Sequence, residues 1–279
     1  SANAAEMTVS GATVLTYTTK DTTEVTGNPF GMKTNIGFTA SGDVNGMTVS
    51  YMQTVKDQFA GMSSARLTID MGDMGTLAYD QGSGSGLATI DDKTPTAAEE
   101  IWDGLDTDAT YGTGGLVGAA GSTGVFNYIK SFGGVTLNAA ARRGSGAANT
   151  DGSSSGAGQN AYDFAITGSG DVIGVDGLSW GVGYGEAENG SQAMSAAHDE
   201  QGDDEHMTAF ANYSMGGFTF GYQTIEADGS TANKNDESTS WGISYAVNDD
   251  MTIAYGEREY NDDTSSDSTT VEQQDPGFS

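Results

Sequence analysis

The sequence predicts an all-β fold, an antiparallel up-and-down sheet of the transmembrane-barrel type, on three observations. Segments of the 279-residue chain alternate large apolar with small polar residues at a period of two. The links between these segments alternate short with long. The face opposite the apolar one is built of Thr, Ser, Gly, Asn and Ala, as suits a wet lumen.

The pattern can be followed from the N-terminus. "SANAA" contains an Ala-x-Ala triplet at Ala2, Asn3 and Ala4, the small-residue pattern left by secretory cleavage, so residues 1–4 read as a signal-peptide remnant. An ordinary small-residue N-terminus is the alternative. From residue 5 to residue 279 the chain reads as one barrel domain. Thirteen alternating segments follow, at 7–19, 32–41, 47–55, 65–71, 76–81, 125–131, 135–142, 161–168, 178–186, 206–215, 218–225, 240–247 and 251–259. Apolar positions recur at every second residue: Met47, Val49 and Tyr51 in one, Leu178, Trp180, Val182 and Tyr184 in another. Trp241, Ile243, Tyr245 and Val247 repeat the pattern, and Met251, Ile253 and Tyr255 repeat it again. In "NYSMGGFTFGYQ" the pair Gly216–Gly217 reads as a tight hairpin between Tyr213, Met215 and Phe218, Phe220, Tyr222.

Between these segments "GDVNG", "GDMG", "FGG", "GG" and "NDD" are short, and "SGDVIGVDG" is of medium length. The links "KDTTEVTGNPFG", "GSGAANTDGSSSGAGQN", "AENGSQAMSAAHDEQGDDE" and "EADGSTANKNDEST" are long and collect the acids, Gly and Ser. Tight turns therefore lie at one rim and long loops at the other, the asymmetry of a barrel with periplasmic turns and extracellular loops. The apolar face then touches lipid. The alternative is a soluble β-sandwich or repetitive surface protein with that face buried between two sheets, although such a fold would carry charged groups on its second face.

Composition narrows the function. The net charge is −29, from 39 acidic and 10 basic residues, which argues against a nucleic-acid partner because the phosphate backbone would be repelled. With no cysteine there is no thiolate metal site and no thiol nucleophile. "GSGSG" at 82–86 lacks the strand, helix and Lys context of a phosphate cradle and reads as a flexible loop start. His198 and His206 lie in or beside one acidic loop without ligand spacing and read as solvated. Ca²⁺ binding through oxygen ligands fits an acid cluster such as "HDEQGDDE", although none matches an EF-hand loop, and a solvated charged rim is the other reading. No catalytic constellation emerges, so no enzyme is expected.

The phrases "AEMTVSG", "ARLTIDMGDMGTLAYD", "FNYIKSFGGVTLNAAAR" and "YSMGGFTFGY" resemble the general diffusion porins of Gram-negative bacteria, most of all the alphaproteobacterial branch. The resemblance runs along nearly the whole chain. It implies an outer-membrane homotrimer of sixteen-stranded barrels passing small hydrophilic solutes and ions, with the third long loop folded inward as a constriction. Thirteen strands are recognisable here, and the chain ends at "QQDPGFS", about where a fourteenth would begin, so the resemblance implies further strands beyond it. The inward loop corresponds to residues 82–124, after the fifth strand.

Such porins set basic wall residues, including some on strands two and four, against loop carboxylates. Lys33 and Arg66 fall on those strands, Arg142 and Arg143 close the seventh, and Arg258 lies on the last. Lys33, Arg66, Arg142 and Arg258 sit opposite the apolar set and so face the lumen, since a charge facing lipid near mid-membrane costs about 2–4 kcal/mol. The loop offers Asp91, Asp92, Glu99, Glu100, Asp103, Asp106 and Asp108. Thr96 with Glu99 forms a capping box for a short helix, and Glu99, Glu100 and Asp103 are the acids expected to face the basic wall. The implied function is a filter, a transverse field across a narrow pore. The alternative is an acidic cell-surface β-protein with a structural or adhesive role.

Overall fold

A computed structural model describes residues 6–17, 30–56, 61–96, 123–143, 160–187, 204–228, 235–249, 251–262 and 269–278. These form one antiparallel sheet of fourteen strands, each hydrogen-bonded to its sequence neighbours. The strands are β1 Glu6–Tyr17, β2 Phe30–Val44, β3 Met47–Lys56, β4 Gly61–Asp70, β5 Thr76–Gln81, β6 Thr123–Phe132 and β7 Val135–Arg142. They continue as β8 Ala161–Ser169, β9 Leu178–Ala187, β10 Asp204–Met215, β11 Phe218–Asp228, β12 Asn235–Asn248, β13 Met251–Asp262 and β14 Thr269–Phe278. Among the described residues the sheet is not closed, because β1 pairs only with β2 and β14 only with β13.

Thirteen of these strands are those that the alternation marks. β14 is additional, and it occupies the stretch where the chain was expected to run out. Its sequence, "TTVEQQDPGF", lacks a regular apolar set and contains Pro276, which removes a ladder donor and demotes a run as a strand. Among the described residues β14 pairs with β13 alone, and Pro276 stands opposite Tyr255 in that ladder. Several strands also reach further toward the long-loop rim than their apolar alternation does: β12 starts at Asn235 and β13 runs to Asp262.

The tight turns follow their residues. Asn45–Gly46, Gly133–Gly134 and Gly216–Gly217 all have positive φ at both positions, the conformation that matches the twist of a two-residue hairpin. Part of each long link, by contrast, falls outside the described residues.

The two faces separate cleanly. Tyr213 is 43% and Phe220 52% exposed, Tyr222, Val182, Leu67 and Val9 are likewise exposed, and Tyr245 is half-buried, so the apolar set seals no core. Phe218 stacks on Tyr245 with ring centroids 4.3 Å apart, and Tyr79 meets Phe126 edge-on at 5.1 Å, cross-strand pairs that stabilise the outer surface. The inner face carries the buried polar groups Asp80, Asn127, Asp163, Thr208, Gln223, Ser238, Ser240 and Arg258 among small Ala and Gly residues.

His206 corrects the expectation of a solvated histidine, being only 2% exposed. Its position in β10 points it inward between Gly185 of β9 and Ala227 of β11, and such small neighbours leave room for a ring. His198 lies outside the described residues.

Candidate functional site

The stretch after β5 runs along the inner face. It begins at Asp80, whose carboxylate is fully buried and opposite Arg66 in the β4–β5 ladder. Asp80 Oδ1 accepts from Ser83 N at 3.1 Å and also from Ser83 Oγ, while Asp80 Oδ2 accepts from Ser85 Oγ at 2.7 Å. Arg66 Nη1 donates to Gly84 O at 3.0 Å and to Ser83 Oγ at 3.4 Å. Such a wrap requires a left-handed residue at every second position, and Gly82, Gly84 and Gly86 have φ of 89°, 92° and 56°. The "GSGSG" run is therefore a fixed conformation around a carboxylate, where a flexible loop start was expected.

Next comes a 3₁₀ turn, Gly86–Ile90. Gly86 N donates to Asn138 Oδ1 at 3.0 Å and to Asn127 Oδ1 at 3.3 Å, and Leu87 N donates to Asp163 Oδ1 at 2.9 Å. A Cβ on Gly86 would collide with Asp163 Oδ1 and come 2.6 Å from Ala140 Cβ, so the chain approaches the wall as closely as backbone can. Leu87 and Ile90 bury themselves with Ala165 and Phe210. Gly183 makes room for Leu87, since a side chain there would strike Leu87 Cδ1. Beyond the turn Gln223 grips the backbone at two points: its Nε2 donates to Ile90 O at 2.6 Å, and its Oε1 accepts from Lys93 N at 2.8 Å. Asn212 Nδ2 donates to Lys93 O at 2.6 Å. Pro95 then lies against Gly221 of β11 and Gly242 of β12, where a Cβ on Gly242 would fall 2.6 Å from Pro95 O.

Residues 82–96 thus cross the inner face from β4 and β5 to β12, held by wall side chains bonding to loop backbone.

The expected basic wall is placed as follows. Arg66 lies on the inner side of β4 but is engaged with the root of the loop. Arg142 ends β7 on the inner face, 8% exposed, within electrostatic reach of Asp163. Arg258 is buried on β13 and donates from Nε to Ser238 Oγ at 2.7 Å. Lys33 pairs with Val14 in the β1–β2 ladder, and its side chain is outside the described residues. Glu99, Glu100 and Asp103 also lie outside them, as do residues 1–4 and the stretch after Thr96 where a short helix was expected.

Sequence reasoning did not single out Asp80, Asn127, Asn138, Asp163, Asn212 or Gln223. A signal was present: on inner positions dominated by Ala, Gly, Ser and Thr, these are longer side chains with amide or carboxylate ends.

An antiparallel sheet that is apolar outside, polar inside and crossed internally by a loop after its fifth strand defines a membrane-spanning β-channel. The chain belongs to the Gram-negative porin family, whose profile matches residues 1–273. Salmonella typhi OmpF in complex with daunomycin shares the fold at 12% identity and a TM-score of 0.59, over 99% of this chain and 86% of that one. A loop-deletion mutant of OmpT, an outer membrane protein of Vibrio cholerae, aligns at 14% identity and a TM-score of 0.54, over 98% and 85% of the two chains. A mutant of the Rh. blastica porin aligns at 13% identity over 98% of this chain and 100% of that one, with a TM-score of 0.48. No curated protein matches the sequence. The protein is an outer-membrane diffusion porin of a Gram-negative bacterium, and nothing in the family match supports the adhesive alternative.

Proposed function

We propose that residues 82–124 form the filter of this channel, so that solutes are sorted by size and charge without any reaction. The observation that carries the reading is the docking of 82–96 across the inner wall, which delivers the chain at Thr96 beside β11 and β12, immediately before the acids Glu99, Glu100 and Asp103. These acids make one side of the filter, and Lys33, Arg66 and Arg142 the other. Arg66 has a second task, holding Gly84. Family membership also supports a homotrimer.

The test is electrical. Replacing Glu99 and Glu100 together by Gln removes two negative charges from the filter and should shift the reversal potential across a KCl gradient toward anions. Unchanged conductance and reversal potential would show that these acids are solvated away from the pore.

A further inference from the structure

The turn from β8 to β9 is built differently from its neighbours. Two residues close the turns after β2, β6 and β10, whereas residues 170–177, "GDVIGVDG", link Ser169 to Leu178. Val172, Ile173 and Val175 are all exposed there, Ile173 by 60%. The turn has an internal scaffold: Gly170 O accepts from Ile173 N at 3.0 Å and from Val175 N at 2.9 Å, and Val175 O accepts from Leu178 N at 3.4 Å. Three aliphatic side chains are thus presented on a hydrogen-bonded frame.

Glycine contacts give the direction of the fold-back. Gly168 lies opposite Trp180, on the outer face, and Ser169 is extended with φ −88° and ψ 161°, so Gly170 continues the alternation outward. A Cβ on Gly170 would run into Val175 O and come 2.8 Å from Leu178 Cβ, another outer-face residue, paired with Tyr213. The turn therefore bends back over the outer, lipid-facing side and not into the lumen. On its other flank it covers the β6–β7 turn, since a Cβ on Gly134 would lie 3.0 Å from Val172 Cγ2.

The level of this knob is set by what surrounds it. Phe132, Tyr213, Met215 and Phe218 stand exposed on the outer face at the same rim. Aromatic residues so placed mark the boundary between hydrocarbon and head groups. Val172 lies beside the β6–β7 turn that follows Phe132, and Gly170 lies beside Leu178, the partner of Tyr213, so the turn adjoins that belt, while Asp171 and Asp176 flank its aliphatic residues.

We propose that the β8–β9 turn is a membrane-surface anchor, seating Val172, Ile173 and Val175 at the head-group boundary of the phospholipid leaflet on the short-turn, periplasmic side. Continuity with the lipid-facing belt favours lipid over a soluble partner. The inference rests on the outer-membrane reading and adds a contact outside the barrel wall.

Because the chain has no cysteine, single cysteines can be spin-labelled without background. The protein, with Ile173→Cys, Phe220→Cys or Asn45→Cys, is inserted into phospholipid vesicles. Collision with oxygen, which partitions into lipid, is compared with collision with a water-soluble nickel chelate. Phe220→Cys reports the barrel wall and Asn45→Cys an ordinary hairpin tip. The expected result is oxygen-favoured collision at 173 as at 220, with nickel-favoured collision at 45. Nickel-favoured collision at 173 overturns the anchor, and so does protection from both reagents, which would mean a protein contact. Failure at position 220 as well would sink the membrane reading itself, so the two are distinguishable. Should the label at 173 impair insertion, Val175→Cys repeats the measurement from the same exposed turn.

Discussion

Gln223 carries a disproportionate share of the loop's attachment. Its one amide serves as acceptor for Lys93 N and donor to Ile90 O, and its donor end also reaches Thr208 Oγ1 at 3.2 Å. Replacement by Leu keeps most of the volume but strips both backbone groups of their partner. An unmade bond at a buried polar group costs about 1–3 kcal/mol. Gln223→Leu should therefore loosen 82–124 while leaving the sheet intact. The check is limited proteolysis of the folded protein, with faster cleavage in that loop and greater open-channel current noise. Equal cleavage rates in the two proteins would mean that the remaining attachments suffice. Arg66 belongs to the same reasoning, because the bond to Gly84 O makes it a positioning residue as well as a candidate charge of the filter.

At the scale of elements, the strand ends near the long loops carry an unusual conflict. Glu205 lies directly opposite Glu186 on one side and Asp228 on the other, and Glu226 lies opposite Glu237. Like charges directly across a ladder destabilise it, on the scale of the roughly 0.2–1 kcal/mol that favourable cross-strand pairs contribute. Tyr162 and Tyr184 relieve part of this by donating hydroxyls to Glu186 Oε2, at 2.6 Å and 3.3 Å. Glu226→Gln should accordingly raise the stability of the β11–β12 end, by an amount within that range. Denaturant unfolding at low ionic strength would show it, and the gain should shrink as salt screens the pair. A loss of stability would mean that Glu226 has a favourable partner that outweighs Glu237. By contrast the short-turn end of β10 and β11 is closed by Gly216–Gly217, with Phe218 stacked on Tyr245 beside it.

For the whole molecule, charge distribution governs transport. A net charge of −29, with the acids concentrated in long links at one mouth, raises the local concentration of cations and depletes anions there. Basic residues on the inner wall oppose this locally, among them Arg142 and Arg258. The expected result is modest cation preference, strongest in dilute salt and fading as the Debye length falls from about 30 Å at 0.01 M to about 3 Å at 1 M. Reversal potentials across KCl gradients at several mean concentrations measure it directly. Clear anion preference in dilute salt would show that the inner wall, and not the mouth, sets selectivity.

The fold class, the outward face of each marked strand and the Gly216–Gly217 hairpin were legible in the sequence because all three are local. A period of two assigns Tyr213 and Phe220 to one side, and Gly216–Gly217 can adopt the left-handed pair that a hairpin needs, whatever the rest of the chain does. The inward direction of Arg66, Arg142 and Arg258 followed from the same alternation. What the tertiary structure alone decided is which inner residues meet the loop. Asn127, Asn138, Asp163, Asn212 and Gln223 lie 41 to 133 residues from the backbone groups they bond. No short-range pattern encodes such contacts, since they depend on how adjacent strands are staggered and on where Gly183, Gly221 and Gly242 leave the wall shallow. The burial of His206 and the pairing of β14 were decided in the same way. In each a residue pattern that reads as exposed or irregular along the chain is overruled by its neighbours across the sheet.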